Sequence, residues 1–147
     1  MLRFKFAIPV LAVMIAAPIA LFAQGHPHYV EALRQLQFAR QLLAPGDHGW
    51  GPAAADQRRA TAEIDRAIQE VRHAAEMDGR NIGGVPPVDM HWEPHDRLRR
   101  AMEALGRARD AISQAEMNPA ARMVRERAFQ HIDEAQHALH HAMDVWH

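Results

Sequence analysis

Histidine is the residue type in this sequence that offers the most chemistry, because the chain holds 11 histidines and no cysteine. His137 and His141 lie four residues apart, one turn of a helix, and Asp144 follows three residues later. Two imidazoles at this spacing can reach the same metal ion. Imidazole and carboxylate ligands suit copper, nickel or zinc, so the C-terminal histidines are candidate metal ligands.

Other kinds of active site find little support in the residues. The absence of cysteine excludes thiolate zinc sites, iron–sulfur clusters and cysteine catalysis. Ser113 is the single serine after residue 23, and it has no nucleophile-elbow context. The pairs Glu70/His73 and Glu134/His137 have the ExxH spacing of di-iron bundles but lie off the apolar stripes, which predicts a surface position. We therefore expect no catalytic residues, no cofactor-binding residues and no enzyme activity.

The first 23 residues have the pattern of a secretory signal. Arg3 and Lys5 precede the apolar stretch 6–22, and the small residue Ala23 precedes a polar sequence. The pattern predicts cleavage between Ala23 and Gln24 and a periplasmic or secreted protein. Since Leu21 is larger than the residue usually found three positions before the cut, an uncleaved N-terminal anchor is the alternative. No later stretch has the ~20 apolar residues of a transmembrane helix.

Charge argues against a nucleic-acid partner. Removal of Arg3 and Lys5 lowers the 17 basic residues to 15, against 18 acidic residues, and the signs are interspersed. The mature chain has a formal net charge of −3 and no basic face, whereas nucleic-acid binding requires a basic surface.

The chain repeats itself. The stretch 32–43 matches 101–112 at an offset of 69, and a second match follows at an offset of 68. The first match pairs Ala32 with Ala101, Leu36 with Leu105, Ala39 with Ala108, Arg40 with Arg109 and Leu43 with Ile112. The second pairs Ala60 with Ala128, Ile64 with Ile132, Asp65 with Asp133, Ala67 with Ala135, Val71 with Leu139, His73 with His141 and Ala74 with Ala142. This self-similarity indicates that one helical hairpin occurs twice in the chain as an internal repeat.

Prolines and apolar periodicity divide the mature chain into four helices. Pro27, Pro52, Pro94 and Pro119 each precede an apolar stripe at 3/4 spacing, as expected of the first helical position. The predicted helices are 27–44, 52–78, 94–117 and 119–146. They form one domain, 24–147, with a hairpin at 24–79, a long loop at 80–93 and a hairpin at 94–147. Short links within each hairpin predict an all-α, up-down-up-down four-helix bundle.

This topology predicts a histidine-rich pole. In such a bundle the starts of helices 1 and 3 share one end with the finishes of helices 2 and 4, which brings nine of the 11 histidines toward it. The candidate metal ligands are His26, His28, His91, His95, His137, His140, His141 and Asp144. Cleavage after Ala23 would also place His26 third in the mature chain, where amine, amides and imidazole form a square-planar set for Cu(II) or Ni(II). The alternative is that these histidines are exposed residues favoured by the helix dipole.

Two further sets of residues have a structural and a functional interpretation. The equivalent pairs Arg40/Asp65 and Arg109/Asp133 are interpreted as interhelical ion pairs rather than anion sites. Trp50 and Trp92 fall in loops that the predicted topology places at opposite poles, and Trp146 ends the chain's last helix. The tryptophans either contact a partner or cap the core.

Four stretches together resemble a family of small exported bacterial helical-bundle proteins of uncharacterised function. They are HPHY at 26–29, DGRN at 78–81, PPVD at 86–89 and HIDEA at 131–135. The resemblance implies a periplasmic or secreted helical bundle and no known activity. If that family has a common site, the resemblance implies that it uses Tyr29, Asp78, Asn81, Asp89 and His131.

The sequence leads to two hypotheses on function. The first is a non-catalytic exported bundle that acts as a binding module in the cell envelope, with a protein partner or with itself. The second is binding or sequestration of Cu, Ni or Zn at the histidine-rich pole.

Overall fold

The computed structural model describes residues 27–46, 48–75, 84–115 and 119–146. Within these ranges the chain forms helices and no strand, which confirms the all-α prediction. The helices are α1 (Pro27–Leu42), α2 (Ala54–Ala75), α3 (Pro94–Gln114) and α4 (Pro119–Asp144), and a 3₁₀ turn (Gly51–Ala53) precedes α2. The predicted signal segment 1–23 and its cleavage site lie outside the described residues. Of the helices described, none has the length and apolar character that a bilayer crossing requires.

The helix starts follow the prolines. Three of the helices, α1, α3 and α4, begin at the predicted proline, while Pro52 lies in the 3₁₀ turn just before α2. Between α1 and α2 the chain reverses through Gly49 (φ 61°) and Gly51 (φ 41°), left-handed conformations that glycine adopts at low cost. The predicted ends of helices 2 and 3, at residues 78 and 117, lie outside the described residues.

The core consists of the predicted apolar stripes. Both members of the matched pairs Ala32/Ala101, Leu36/Leu105 and Ile64/Ile132 are completely buried. Many core positions hold alanine, so the helix backbones can approach each other closely. Because a short amphipathic helix is marginal alone, packing of these faces supplies most of the stability of each helix.

The order of the helices in space differs from the prediction. In the described chain α1 packs on α2 and α3, and α4 packs on α2 and α3. The backbones of α1 and α4, and likewise those of α2 and α3, do not approach closely. Near the start of α3, Arg97 Nη2 donates to the backbone oxygen of Ala44, just beyond the end of α1, at 2.5 Å. Arg107 and Gln35 hydrogen-bond at the middle of the same two helices. Helices α1 and α3 are therefore antiparallel.

Helices α2 and α4 are antiparallel as well. His141 near the end of α4 bonds Asp56 near the start of α2, and Arg127 near the start of α4 pairs with Glu70 near the end of α2. The topology is up-down-down-up, and the predicted up-down-up-down topology is wrong.

The long connection between α2 and α3 explains the difference. An extended chain from residue 76 to residue 93 can span about 60 Å, while α3, with its 21 residues, is about 30 Å long. The link can therefore join opposite ends of the bundle, as in bundles with one long crossover. In this arrangement every pair of helices in contact is antiparallel, so the helix dipoles oppose one another.

We name the two ends of the bundle by their aromatic residues. At the tryptophan end α1 and α4 finish and α2 and α3 begin. At the Tyr29 end α1 and α4 begin and α2 and α3 finish.

Candidate functional site

The topology divides the candidate metal ligands between the two ends. His28 lies at the Tyr29 end, because α1 begins where α3 finishes. The remaining described candidates lie at or toward the tryptophan end: His91, His95, His137, His140, His141 and Asp144. His26 and His147 lie outside the described residues. The prediction that the starts of helices 1 and 3 form one histidine-rich pole is therefore wrong, since those helices are antiparallel.

The histidines at the tryptophan end are side chains on the surface. His91, His95, His137, His140 and His141 are all exposed. His141 Nδ1 lies 2.7 Å from Asp56 Oδ2, and this hydrogen bond, together with the carboxylate charge, raises the pKa of His141 above 6.5. Over the described residues, no three histidine, aspartate or glutamate side chains are grouped as a metal site would require.

All three tryptophans of the chain lie at the tryptophan end. Trp50 is only 6% exposed, and Trp92 and Trp146 are half-buried against the core. The Arg100 guanidinium lies over the Trp92 ring, 4.1 Å from its centroid, in a cation–π contact. The prediction that Trp50 and Trp92 occupy opposite poles is wrong, because α1 and α3 are antiparallel.

Beneath these rings lies a buried arginine. Arg97 is 1% exposed, and its guanidinium lies 5.0 Å from the centroid of the Trp50 ring. Its Nη2 also donates to Met90 Sδ at 3.5 Å, in addition to the bond to Ala44. Burial disfavours the charged form and lowers the pKa of Arg97. One side chain thus ties the end of α1, the loop before α3 and α3 itself together.

Sequence patterns did not single out Arg97, although a signal exists. Arg97 lies one helical turn before Ala101, so extension of the buried stripe toward the start of α3 reaches an arginine. Sequence patterns did not single out Gly46 either. A Cβ at position 46 would lie 2.3 Å from Arg97 Nη1 and 3.0 Å from the Met90 backbone oxygen, so the guanidinium occupies the space that a side chain would need.

The tryptophan end also holds buried donors without acceptors. Four N–H groups there have no hydrogen-bond partner among the described residues: Trp50 Nε1, Arg97 Nε, Arg100 Nε and Trp146 Nε1. Arg125 Nε, the fifth such group, lies on α4 near its start, toward the Tyr29 end. Buried polar groups in folded proteins are nearly always paired with protein atoms or with water, so these four donors mark a polar region under the tryptophan rings.

The residues that the family resemblance implies lie apart from one another. Tyr29 is buried at the Tyr29 end, and burial raises its pKa. Asp89 lies at the tryptophan end, where its Oδ1 accepts from the His91 backbone N–H at 2.9 Å and so stabilises the loop. His131 lies halfway along α4, with Nδ1 2.7 Å from Glu63 Oε2 of α2. Asp78 and Asn81 lie outside the described residues. The structure does not bring the three described residues into one site.

The equivalent arginine–aspartate pairs form as predicted. Arg40 Nε lies 2.5 Å from Asp65 Oδ1 across α1 and α2, and Arg109 pairs with Asp133 across α3 and α4. All four side chains are largely exposed, so each pair contributes little to stability and mainly favours one register.

Comparison with known proteins gave no match to a protein-family model, a curated protein or a solved structure. The site is therefore interpreted from its own geometry.

Proposed function

We propose that this protein is a non-catalytic, exported binding module of the cell envelope, and that it binds a protein partner through its tryptophan end. The observation that carries the proposal is the collection of three tryptophans at one end of the bundle, with the Arg100 guanidinium over the Trp92 ring. Tryptophan and arginine are the residue types most enriched at the energetic centres of protein interfaces.

The contacts at this end support its use in binding. Arg100 holds the Trp92 ring, so less side-chain entropy is lost when a partner covers it. Met90 and Val145, exposed by 36% and 38%, lie at the same end and extend its apolar surface. An apolar surface with fixed aromatic rings and donors near them resembles the core of an interface.

Export and the lack of catalysis rest on the sequence alone. The pattern of residues 1–23 supports a cleaved signal, and the lack of cysteine and of a serine in a suitable context supports a binding role. We also propose that the two hairpins derive from one repeated unit, as the offsets of 69 and 68 indicate. Mass spectrometry of the protein from the cell envelope tests export, and a mature N-terminus at Gln24 is the expected result.

Photo-crosslinking in the cell envelope tests the binding end. A photoreactive residue at Val145, which is 38% exposed at the tryptophan end, should give a discrete adduct with a partner protein. The matched control is the same residue at Met123, which is 59% exposed near the start of α4 at the Tyr29 end. Trp92→Ala should reduce the Val145 adduct while the helical circular dichroism stays unchanged. Equal adducts at the two positions, or none at either, would overturn the proposal.

Metal binding is the second candidate function, with Cu, Ni or Zn as the ion. The observation that favours it is the presence of five candidate histidines, with Asp144, at or toward one end. Titration of the mature protein with Cu(II) or Zn(II) should show one ion per chain, released as pH falls through the imidazole pKa of about 6.5. His137→Ala with His141→Ala should abolish binding. Unchanged binding by the double variant would exclude α4 from the site.

A further inference from the structure

A groove of about 400 Å³ lies between the second half of α1 and the second half of α2. Its volume is within the range of small-molecule sites. The residues that line it are Gln37, Arg40, Gln41, Asp65, Ile68 and Arg72. Ile68, only 7% exposed, contributes the apolar part of the lining, and the other five residues are polar or charged.

The polar groups of this groove are mostly donors. Arg40 is paired with Asp65 at 2.5 Å, which leaves the Asp65 carboxylate largely neutralised. Arg72 and Gln41 are exposed and Gln37 is half-buried, and within the described part of the chain none of these three side chains has a hydrogen-bond or ion-pair partner. The groove therefore offers one guanidinium and two amide groups that have no partner among the described residues, beside a small apolar surface.

The second hairpin provides an internal comparison. Its equivalent ion pair joins Arg109 and Asp133, but the residues around that pair differ. By the offsets of 69 and 68, the second hairpin has Gly106 for Gln37, Asp110 for Gln41, Gln136 for Ile68 and His140 for Arg72. Arg109 also lies over the Phe129 ring, 4.7 Å from its centroid, whereas the first hairpin has Thr61 at the position of Phe129. The second hairpin therefore has neither an arginine at the position of Arg72 nor an isoleucine at the position of Ile68.

We infer that the groove between α1 and α2 binds a small organic carboxylate. A planar guanidinium matches a carboxylate with two parallel hydrogen bonds, so Arg72 receives the charged group. The amides of Gln37 and Gln41 donate to the remaining carboxylate lone pairs. An aliphatic part of the ligand lies over Ile68, where contact removes apolar surface from water. The residues that line this groove are not those of the proposed partner-binding surface, and its ligand does not depend on the protein partner proposed above.

Titration of the mature protein with hexanoate, followed by nuclear magnetic resonance of the side-chain amides, tests this inference. We expect saturable shifts at Gln37 and Gln41. Hexanamide, which keeps the aliphatic chain but lacks the charge, should give no saturable shift. Inorganic phosphate, which has charge but no aliphatic part, should bind more weakly than hexanoate. Equal binding of hexanamide or of phosphate would overturn the assignment of an organic carboxylate.

A pair of matched variants locates the site. Arg72→Gln should weaken hexanoate binding roughly tenfold, as expected for loss of a charge-assisted hydrogen bond. Arg58→Gln removes the same charge from an exposed position of the same helix outside the groove, and it should leave the affinity unchanged. Equal weakening by the two variants would show general charge attraction and would overturn the site. Both arginines are exposed, so neither substitution should affect folding.

Discussion

Arg97 links three parts of the tryptophan end. Its guanidinium contacts Trp50, the Ala44 backbone oxygen and the Met90 sulfur, and Gly46 leaves it the space to do so. The side chain is buried and charged, which is costly unless its donors are satisfied. The end of the bundle is thus built around one cation, and small changes beside it should have large effects.

Gly46→Ala tests this arrangement. The added Cβ would lie 2.3 Å from Arg97 Nη1 and 3.0 Å from a backbone oxygen, so the guanidinium must move away from its contacts. We expect the free energy of unfolding to fall by about 1–3 kcal/mol in urea denaturation, as for other overpacked sites. Gly84→Ala is the control, because a Cβ there meets nothing within 4 Å and should change stability by less than about 0.5 kcal/mol. Equal stabilities of the two variants would contradict the close packing of the Arg97 guanidinium against Gly46.

At the scale of the helices, substitution of two glycines by alanine should change the stability of the protein in opposite directions. Gly106 lies inside α3, where a Cβ would meet nothing within 4 Å and the backbone needs no left-handed conformation. Gly106→Ala should therefore raise the free energy of unfolding by about 0.5–1 kcal/mol. Gly51→Ala should destabilise the protein, since Gly51 has φ 41° and a Cβ there would meet the Trp146 ring at 3.4 Å. Thermal unfolding of both variants checks the two signs, and a loss of stability in Gly106→Ala would show that position 106 has a packing role.

The hydrogen bond between α4 and α2 at the tryptophan end should depend on pH. Because the pKa of His141 is raised in the folded protein, the pair stabilises the fold below the unfolded pKa of about 6.5, and this contribution is lost as pH rises through the folded pKa. Asp56→Asn should lower the pKa of His141, measured by nuclear magnetic resonance. The fall in melting temperature caused by Asp56→Asn should be larger at about pH 5.5 than at about pH 8.5.

Asp65→Asn serves as the control for this pair, because the partner of Asp65 is an arginine and not a histidine. Its effect on melting temperature should be the same at both pH values. A pH-independent effect of Asp56→Asn would show that Asp56 acts through the dipole of α2 rather than through His141.

At the scale of the whole molecule, the direction of α3 relative to α1 decides which residues meet. Antiparallel packing of α1 on α3 brings the loop before α3 to the end of α1, and it moves His28 away from the other candidate histidines. The same packing gathers the three tryptophans at one end. Both proposed functions at the tryptophan end depend on this direction.

Distances between spin labels test the topology directly. The chain has no cysteine, so spin labels attach only to cysteines that are introduced. One double variant carries Pro27→Cys and His95→Cys, and the other carries His48→Cys and His95→Cys. Residues 27 and 95 should be about 30 Å apart, close to the length of the bundle, and residues 48 and 95 should be clearly nearer. An up-down-up-down bundle would reverse this order. Circular dichroism of the unlabelled variants should show unchanged helix content.

The sequence by itself determined the local structure. The 3/4 spacing of apolar residues specifies which face of each helix is buried, and Leu36, Ile64, Leu105 and Ile132 are accordingly all at zero exposure. Prolines marked the helix starts, because a missing N–H is tolerated at the first turn. The ion pairs Arg40/Asp65 and Arg109/Asp133 were predictable as well, since each joins helices linked by a short loop.

Only the tertiary structure decided how the two hairpins face each other. The apolar stripes are compatible with either direction of the second hairpin, and a long connection can reach either end of the bundle. The candidate histidines and tryptophans occupy helix ends and loops, so their grouping depended on that choice. The burial of Arg97 was not predicted, because a charged side chain is buried only where its surroundings supply hydrogen-bond acceptors or an aromatic ring. For Arg97 these come from the end of α1 and from Trp50, which only the tertiary structure brings beside it.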